Sequence, residues 1–220
     1  MGYLSKLCSV AVASALFIAA SATPARADII VSFGVNNQGT DNVLLDPMTN
    51  AMTVTGTFGA TNRIVEFTSS SGSGLLSANP SGQATVTGGT GNDPLTEITF
   101  GVTDTPFTRA VFNLNAAMSG DAQFTVEGFN IDGGFFQDIF SVSANGQNFF
   151  TIDAILGQSM TSIGIFGVNG VTFQDLRQVR IGGEGIINST PVPEPASMLL
   201  LGTGLTALVA ARRRRKQQQL

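Results

Sequence analysis

From Ile29 to Gly182 the chain breaks repeatedly into short runs that alternate or stay apolar over three to seven positions. The runs are Ile29–Phe33, Met52–Phe58, Ile64–Phe67, Ala84–Thr87, Glu97–Phe100, Ala110–Leu114, Gln123–Val126, Ile139–Val142, Phe150–Ile152 and Ile163–Phe166. Each is bounded by Gly, Asn, Asp, Pro or Ser, and none keeps a helical period over three turns, so the pattern is that of strands. The stretch Phe173–Gly182 reads as a closing strand. About a dozen short strands with regular turn signals predict an all-β, single β-sandwich domain with a jelly-roll-like wrap. Asn145-Gly146 and Asn169-Gly170 offer the positive φ values of type I′ turns and predict two hairpins. The polar segments Ser69–Gly74 and Gly88–Asp93 read as long loops, not as domain boundaries.

Composition narrows the chemistry. Fifteen carboxylates lie between Asp28 and Glu194, opposed there only by Arg63, Arg109, Arg177 and Arg180, a net charge of −11. That balance excludes nucleic acid and anionic lipid as partners, since both need clustered cations. The same stretch has no His, Cys, Lys, Tyr or Trp, so no disulfide staples it and fifteen of the sixteen Phe must fill its core. Histidine-ligated zinc and the usual nucleophile–base pairs are unavailable, and no Gly-x-Ser-x-Gly occurs. A hydrolase would have to use paired carboxylates, without the Trp or Tyr on which sugars usually stack. The expectation is therefore not an enzyme, with a carboxylate-based hydrolase as the third reading.

Calcium is the better chemical candidate, because Asp93, Glu97, Asp104 and Asp132 place hard oxygen ligands in or beside Gly- and Asn-bearing loops. Their spacing matches neither an EF-hand loop nor a nonapeptide repeat, and acidic loops that keep a surface soluble explain them as well. Thr53-Val54-Thr55-Gly56-Thr57 and Thr85-Val86-Thr87 would rank threonines on one strand face, as Thr does on the solvent side of any sheet. Gly72-Ser73-Gly74 and Gly88-Gly89-Thr90-Gly91 precede no helix and so have no context for cradling phosphate. Phe135-Phe136 and Phe149-Phe150 put neighbouring rings on opposite faces of a strand.

The ends carry a different kind of information. Lys6 followed by the apolar Cys8–Ala20 and the small-x-small site Ala25-Arg26-Ala27 before Asp28 reads as a secretory signal peptide over residues 1–27. At the other end, Val192-Pro193-Glu194-Pro195 precedes sixteen uncharged residues, 196–211, and then the basic stop Arg212-Arg213-Arg214-Arg215-Lys216. At helical rise the apolar run spans roughly 24 Å, just under the thickness of a hydrocarbon core. The cations after it stay on the cytoplasmic side, which puts the main domain outside. In this order the residues 192–220 resemble the sorting signal of PEP-CTERM proteins of Gram-negative-type bacteria, and a strand ending like Phe173–Gly182 recurs in the extracellular parts of some of them. The resemblance implies recognition by an exosortase, a membrane enzyme that cuts near Pro-Glu-Pro and releases or transfers the domain. Prolines hold that segment extended and accessible. An uncut single-pass anchor is the alternative.

The organisation expected is a signal peptide over 1–27, an exported β-sandwich over 28–182, a linker over 183–191 and the sorting signal over 192–220. The protein is expected to leave through the secretion machinery, to pass through the inner membrane by its C-terminal helix, and to reach the cell surface or extracellular matrix. There a structural or adhesive role is expected, which agrees with the family's association with exopolysaccharide and biofilm. The alternative is a secreted, calcium-stabilised binding module, with extracellular polysaccharide as the partner.

Overall fold

The computed structural model describes residues 29–60, 62–70, 72, 74–81, 84–89, 93–129, 131, 135–144 and 146–183. Every regular element among them is a strand. Sheet A runs β1 (Ile29–Phe33), β13 (Asn148–Ala154), β10 (Arg109–Ala116), β15 (Phe173–Gly182), β8 (Thr85–Gly88), β7 (Leu76–Asn79) and β4 (Met48–Ala51), with β2 (Thr40–Asn42) also paired to β15. Sheet B runs β12 (Phe135–Val142), β11 (Gly120–Phe129), β14 (Ser159–Gly167), β9 (Glu97–Val102), β6 (Arg63–Thr68), β5 (Thr53–Phe58) and β3 (Leu44–Leu45). The predicted signal peptide, linker, sorting motif and apolar helix lie outside the described residues.

The last eight strands obey one rule. β8 pairs β15, β9 pairs β14, β10 pairs β13 and β11 pairs β12, all antiparallel. They form one long hairpin turned at β11–β12, whose successive pairs fall alternately in sheets A and B. Rolled up, it brings β15 beside β10 and β14 beside β11. This is the jelly-roll wrap, as expected from the sequence. β1 widens sheet A past β13, while β7 and β4 widen it past β8 and β6, β5 and β3 widen sheet B past β9.

The two-residue side-chain period builds the core between the sheets. On β5, Val54, Gly56 and Phe58 are buried while Thr53, Thr55 and Thr57 face outward; Ile98, Phe100 and Val102 do the same on β9, and Ala122, Phe124 and Val126 on β11. Phenylalanine is the main filling, as its concentration in this region requires. Ring contacts run Phe67–Phe100 (5.8 Å), Phe100–Phe112 (5.6 Å), Phe112–Phe124 (5.7 Å) and Phe124–Phe150 (4.6 Å), stepping between the sheets to Phe33 at the β1 edge.

Neither predicted hairpin exists. Asn169 (φ 52°) and Gly170 (φ 85°) hold the positive dihedrals expected, and Val171 N donates to Val168 O at 3.1 Å. The strands they join, however, belong to opposite sheets, so the tight turn is a corner of the sandwich. The chain can double back so closely because residue 167 is glycine: a Cβ there would lie 1.8 Å from Val171 O. Likewise β12 and β13, on either side of Asn145-Gly146, lie in different sheets, and Gly146 is not at positive φ. Turn chemistry is local, whereas the sheet that a strand joins is decided by the roll of the whole hairpin.

One row across sheet A fixes the direction of the molecule. Ile30, Asp153, Arg109, Gly182 and Thr40 are successive partners. The first and last described strands therefore end at the same pole.

Candidate functional site

The outer face of sheet B is polar through its centre, with Ile64, Phe135 and Ile139 exposed toward its margins. One row of partners reads Thr53, Thr68, Thr99, Gly164, Thr125 and Gln137. The next reads Thr55, Glu66, Gly101, Ser162, Glu127 and Phe135. Glu97 and Asp121 stand on the same face, and no arginine does: Arg109, Arg177 and Arg180 are on the outer face of sheet A, while Arg63 closes the end of β6. Gly101 and Gly164 hollow the centre of the face. A Cβ on Gly101 would meet Thr161 O at 2.4 Å, so glycine lets β9 and β14 approach. The Phe166 ring folds over Gly164, 2.8 Å from where a Cβ would stand. A shallow groove of about 200 Å³ results, walled by Glu66, Thr68, Thr99, Thr103 and Ser162.

Within the predicted calcium set, Glu97 and Asp104 do not converge. Glu97 and Asp104 lie at opposite ends of β9, roughly 23 Å apart at strand rise. Glu97 Oε1 accepts hydrogen bonds from Ser70 N (2.6 Å) and Ser70 Oγ (2.5 Å) and ties down the loop after β6. Asp104 Oδ2 pairs with Arg63 Nη1 at 2.7 Å. Asp93 bridges to Gly88 beside β8, and its side chain occupies the space a Cβ on Gly89 would need. Asp132 lies outside the described residues. No group of three or more acidic side chains that could hold a metal occurs among the described residues.

Two of the three arginines on sheet A are paired with a carboxylate. Arg109 Nε donates to Asp153 Oδ1, between neighbouring strands. Arg177 donates to both oxygens of the buried Asp175, with Nη2–Oδ2 at 2.6 Å, and Asn115 Nδ2 donates to the same Oδ2 at 2.9 Å. These hydrogen bonds raise the Arg177 pKa further above its usual value, against the opposing effect of burial. The sequence had presented the arginines only as a charge balance. One signal of their arrangement was legible: the buried positions of β15 run Leu176, Val179, Ile181, a step of three before a step of two. The slip marks a β-bulge, in which Gln178 and Val179 both face Phe112 of β10.

Residues 191–215 match the family model of the PEP-CTERM protein-sorting motif. That motif is the C-terminal signal of exosortase substrates, and it takes in Val192, Pro193, Glu194, Pro195 and the arginines from 212 to 215. No curated protein matches the chain.

Proposed function

We propose that this protein is an exosortase-sorted, non-enzymatic component of the cell surface or extracellular matrix, with a structural or adhesive role. The sorting motif implies export through a membrane-anchored stage. The observation that carries the role is the shared pole of the termini: Ile30 and Gly182 stand in one row across sheet A. Within the sandwich itself, the outer face of sheet B presents its side chains away from the core, toward a partner. That face offers hydroxyl and carboxylate groups over six strands, suited to many weak hydrogen bonds with a hydrated polymer.

Two arms test the proposal. Replacing Glu194 and Pro195 by alanine should leave full-length protein in the inner-membrane fraction, while the unaltered chain appears at the surface or in the medium. Removing the sandwich but keeping both end segments should preserve sorting and abolish retention in the matrix. Normal matrix retention without the sandwich overturns the structural role, and unchanged release of the altered motif overturns sorting.

A further inference from the structure

Along one edge β15 has two neighbours in succession. Asp175–Arg177 pair β8, and Arg180–Gly182 pair β2. Both neighbours are antiparallel to β15, so β2 and β8 lie end to end as halves of one interrupted strand. The interruption falls at the bulge. Val43 N donates to Val179 O (2.9 Å) on one side, and Gln178 N donates to Ala84 O (3.1 Å) on the other. Beyond Val43 the chain leaves for sheet B, where Leu44 and Leu45 pair β5. Gln178 holds φ at 52°, a left-handed conformation inside a strand that costs free energy for any residue but glycine. The gap is a cavity of about 400 Å³, within the range of small-molecule sites. Val43, Leu44 and Pro80 make its apolar wall, and Asn42, Gln178 and Arg180 its polar side.

Arg180 gives the cavity its chemistry. Its Nε donates to Thr40 Oγ1 (3.2 Å), Nη1 to Asn42 Oδ1 (2.7 Å) and Nη2 to Thr40 O (3.2 Å). All three acceptors are neutral. Arg63, Arg109 and Arg177 each pair with a carboxylate, so Arg180 alone among the described arginines has a charge that no described acidic side chain compensates. In a domain with thirteen carboxylates to four arginines, that vacancy stands out. A guanidinium has five N–H groups, and three are used. One remains on each Nη, free to donate to the oxygens of a carboxylate. Asp41, between Thr40 and Asn42 on β2, points to the other face of the strand and does not fill them. Bonds from Thr40 and Asn42 hold the guanidinium plane, so little order is lost when a ligand arrives.

We propose that this cavity binds an organic carboxylate. Arg180 takes the carboxylate, the Gln178 and Asn42 amides bond to neutral polar groups of the ligand, and the apolar wall takes its hydrocarbon face. A uronic acid unit of an extracellular polysaccharide and an amphiphilic small carboxylate share this chemistry. The test uses the exported protein, purified in its released form, and titration calorimetry with galacturonate, galactose and hexanoate. Saturable binding of galacturonate or hexanoate, at least tenfold tighter than galactose, is the expected result, and the better of the two identifies the source. R180Q should weaken that binding at least tenfold, and R180K should fall between because a single ammonium cannot grip two oxygens. L44E, at an exposed wall position, supplies an internal carboxylate and should abolish binding with Arg180 and its bonds untouched. No saturable binding of either carboxylate, equal affinity for galactose, or full affinity in both R180Q and L44E would overturn the proposal. Binding is measured on purified protein, so the outcome is independent of where the cell sends it.

Discussion

Replacing Phe124 by alanine is the sharpest test of the core. Its ring is fully buried on β11 and meets Phe150 at 4.6 Å, Phe140 at 5.1 Å and Phe112 at 5.7 Å, so it joins three other rings at the centre of the core. Large-to-small changes at such sites cost about 3–5 kcal/mol, and the loss of three aromatic partners places Phe124→Ala near the upper end. Phe33, which touches Phe150 at 4.9 Å but is 64% exposed, is the control. With about a third of a ring's area buried, at about 25 cal/mol per Å², Phe33→Ala should cost about 1–2 kcal/mol. In a domain of this size these translate to losses of roughly 8–20 °C and 2–8 °C in Tm. Urea unfolding followed by far-ultraviolet circular dichroism is the assay, because the exported region has neither Trp nor Tyr to report by fluorescence. Phe124→Leu retains most of the volume and should recover at least half of the loss. Equal costs for Phe124→Ala and Phe33→Ala would refute the placement of the core between these two sheets.

Three further outcomes follow from particular contacts. Asn169→Ala puts a Cβ-bearing residue without a polar side chain at φ 52° and should cost about 1–2 kcal/mol in the same urea assay, whereas Asn169→Gly should be near neutral. Asp138 Oδ1 accepts the Ile139 N–H at 2.8 Å along the open edge of β12, where Phe135 and Ile139 are about half exposed. Asp138→Ala uncovers that edge and should raise the dimer and aggregate fractions in size-exclusion chromatography with light scattering; an unchanged monomer peak would show that the aspartate does not guard it. Since Glu97 and Asp104 stand at opposite ends of β9, millimolar calcium should shift Tm no more than magnesium does, and a larger, calcium-specific shift would point to ligands outside this pair.

Most of the sandwich was legible because burial imposes period two. All ten alternating or apolar runs and the closing strand appear, with ends shifted by a few residues. Met52 was read into β5 but lies exposed at the bend before it. β2, β3 and β4 were not read, because they are two to four residues long, β2 and β4 carry Thr, Asp and Asn, and Asp46-Pro47 separates β3 from β4. Their strand character comes from partners far along the chain. β7 was hidden for the same reason: Leu76 and Ala78 are too short a run to show a period. The hairpin error was of another kind, since Asn-Gly specifies a turn and says nothing about which sheet receives the next strand. At the candidate sites, the acidic residues were visible but their separation was not. Arg180 was visible only as a charge, because its lack of a carboxylate partner is a property of the rolled structure.

The jelly roll also explains why address and module can be separate. β15, the last strand, lies inside sheet A between β10 on one side and β8 and β2 on the other, so its pairing is complete before the linker begins. Pulling on the chain at Gly182 loads a strand bonded along both edges. Force or enzymatic cutting beyond residue 183 therefore need not disturb the core. A terminal strand at a sheet edge would peel one bond at a time, whereas β15 must break its pairing with three strands together. A domain held through its C-terminal end gains from that placement. The same placement sets the interrupted strand and Arg180 within a few residues of the exit from the fold. Loss of the β15–β2 pairing would thus be felt first at the cavity, and carboxylate binding to Arg180 would tighten the last strand just where the tether leaves it.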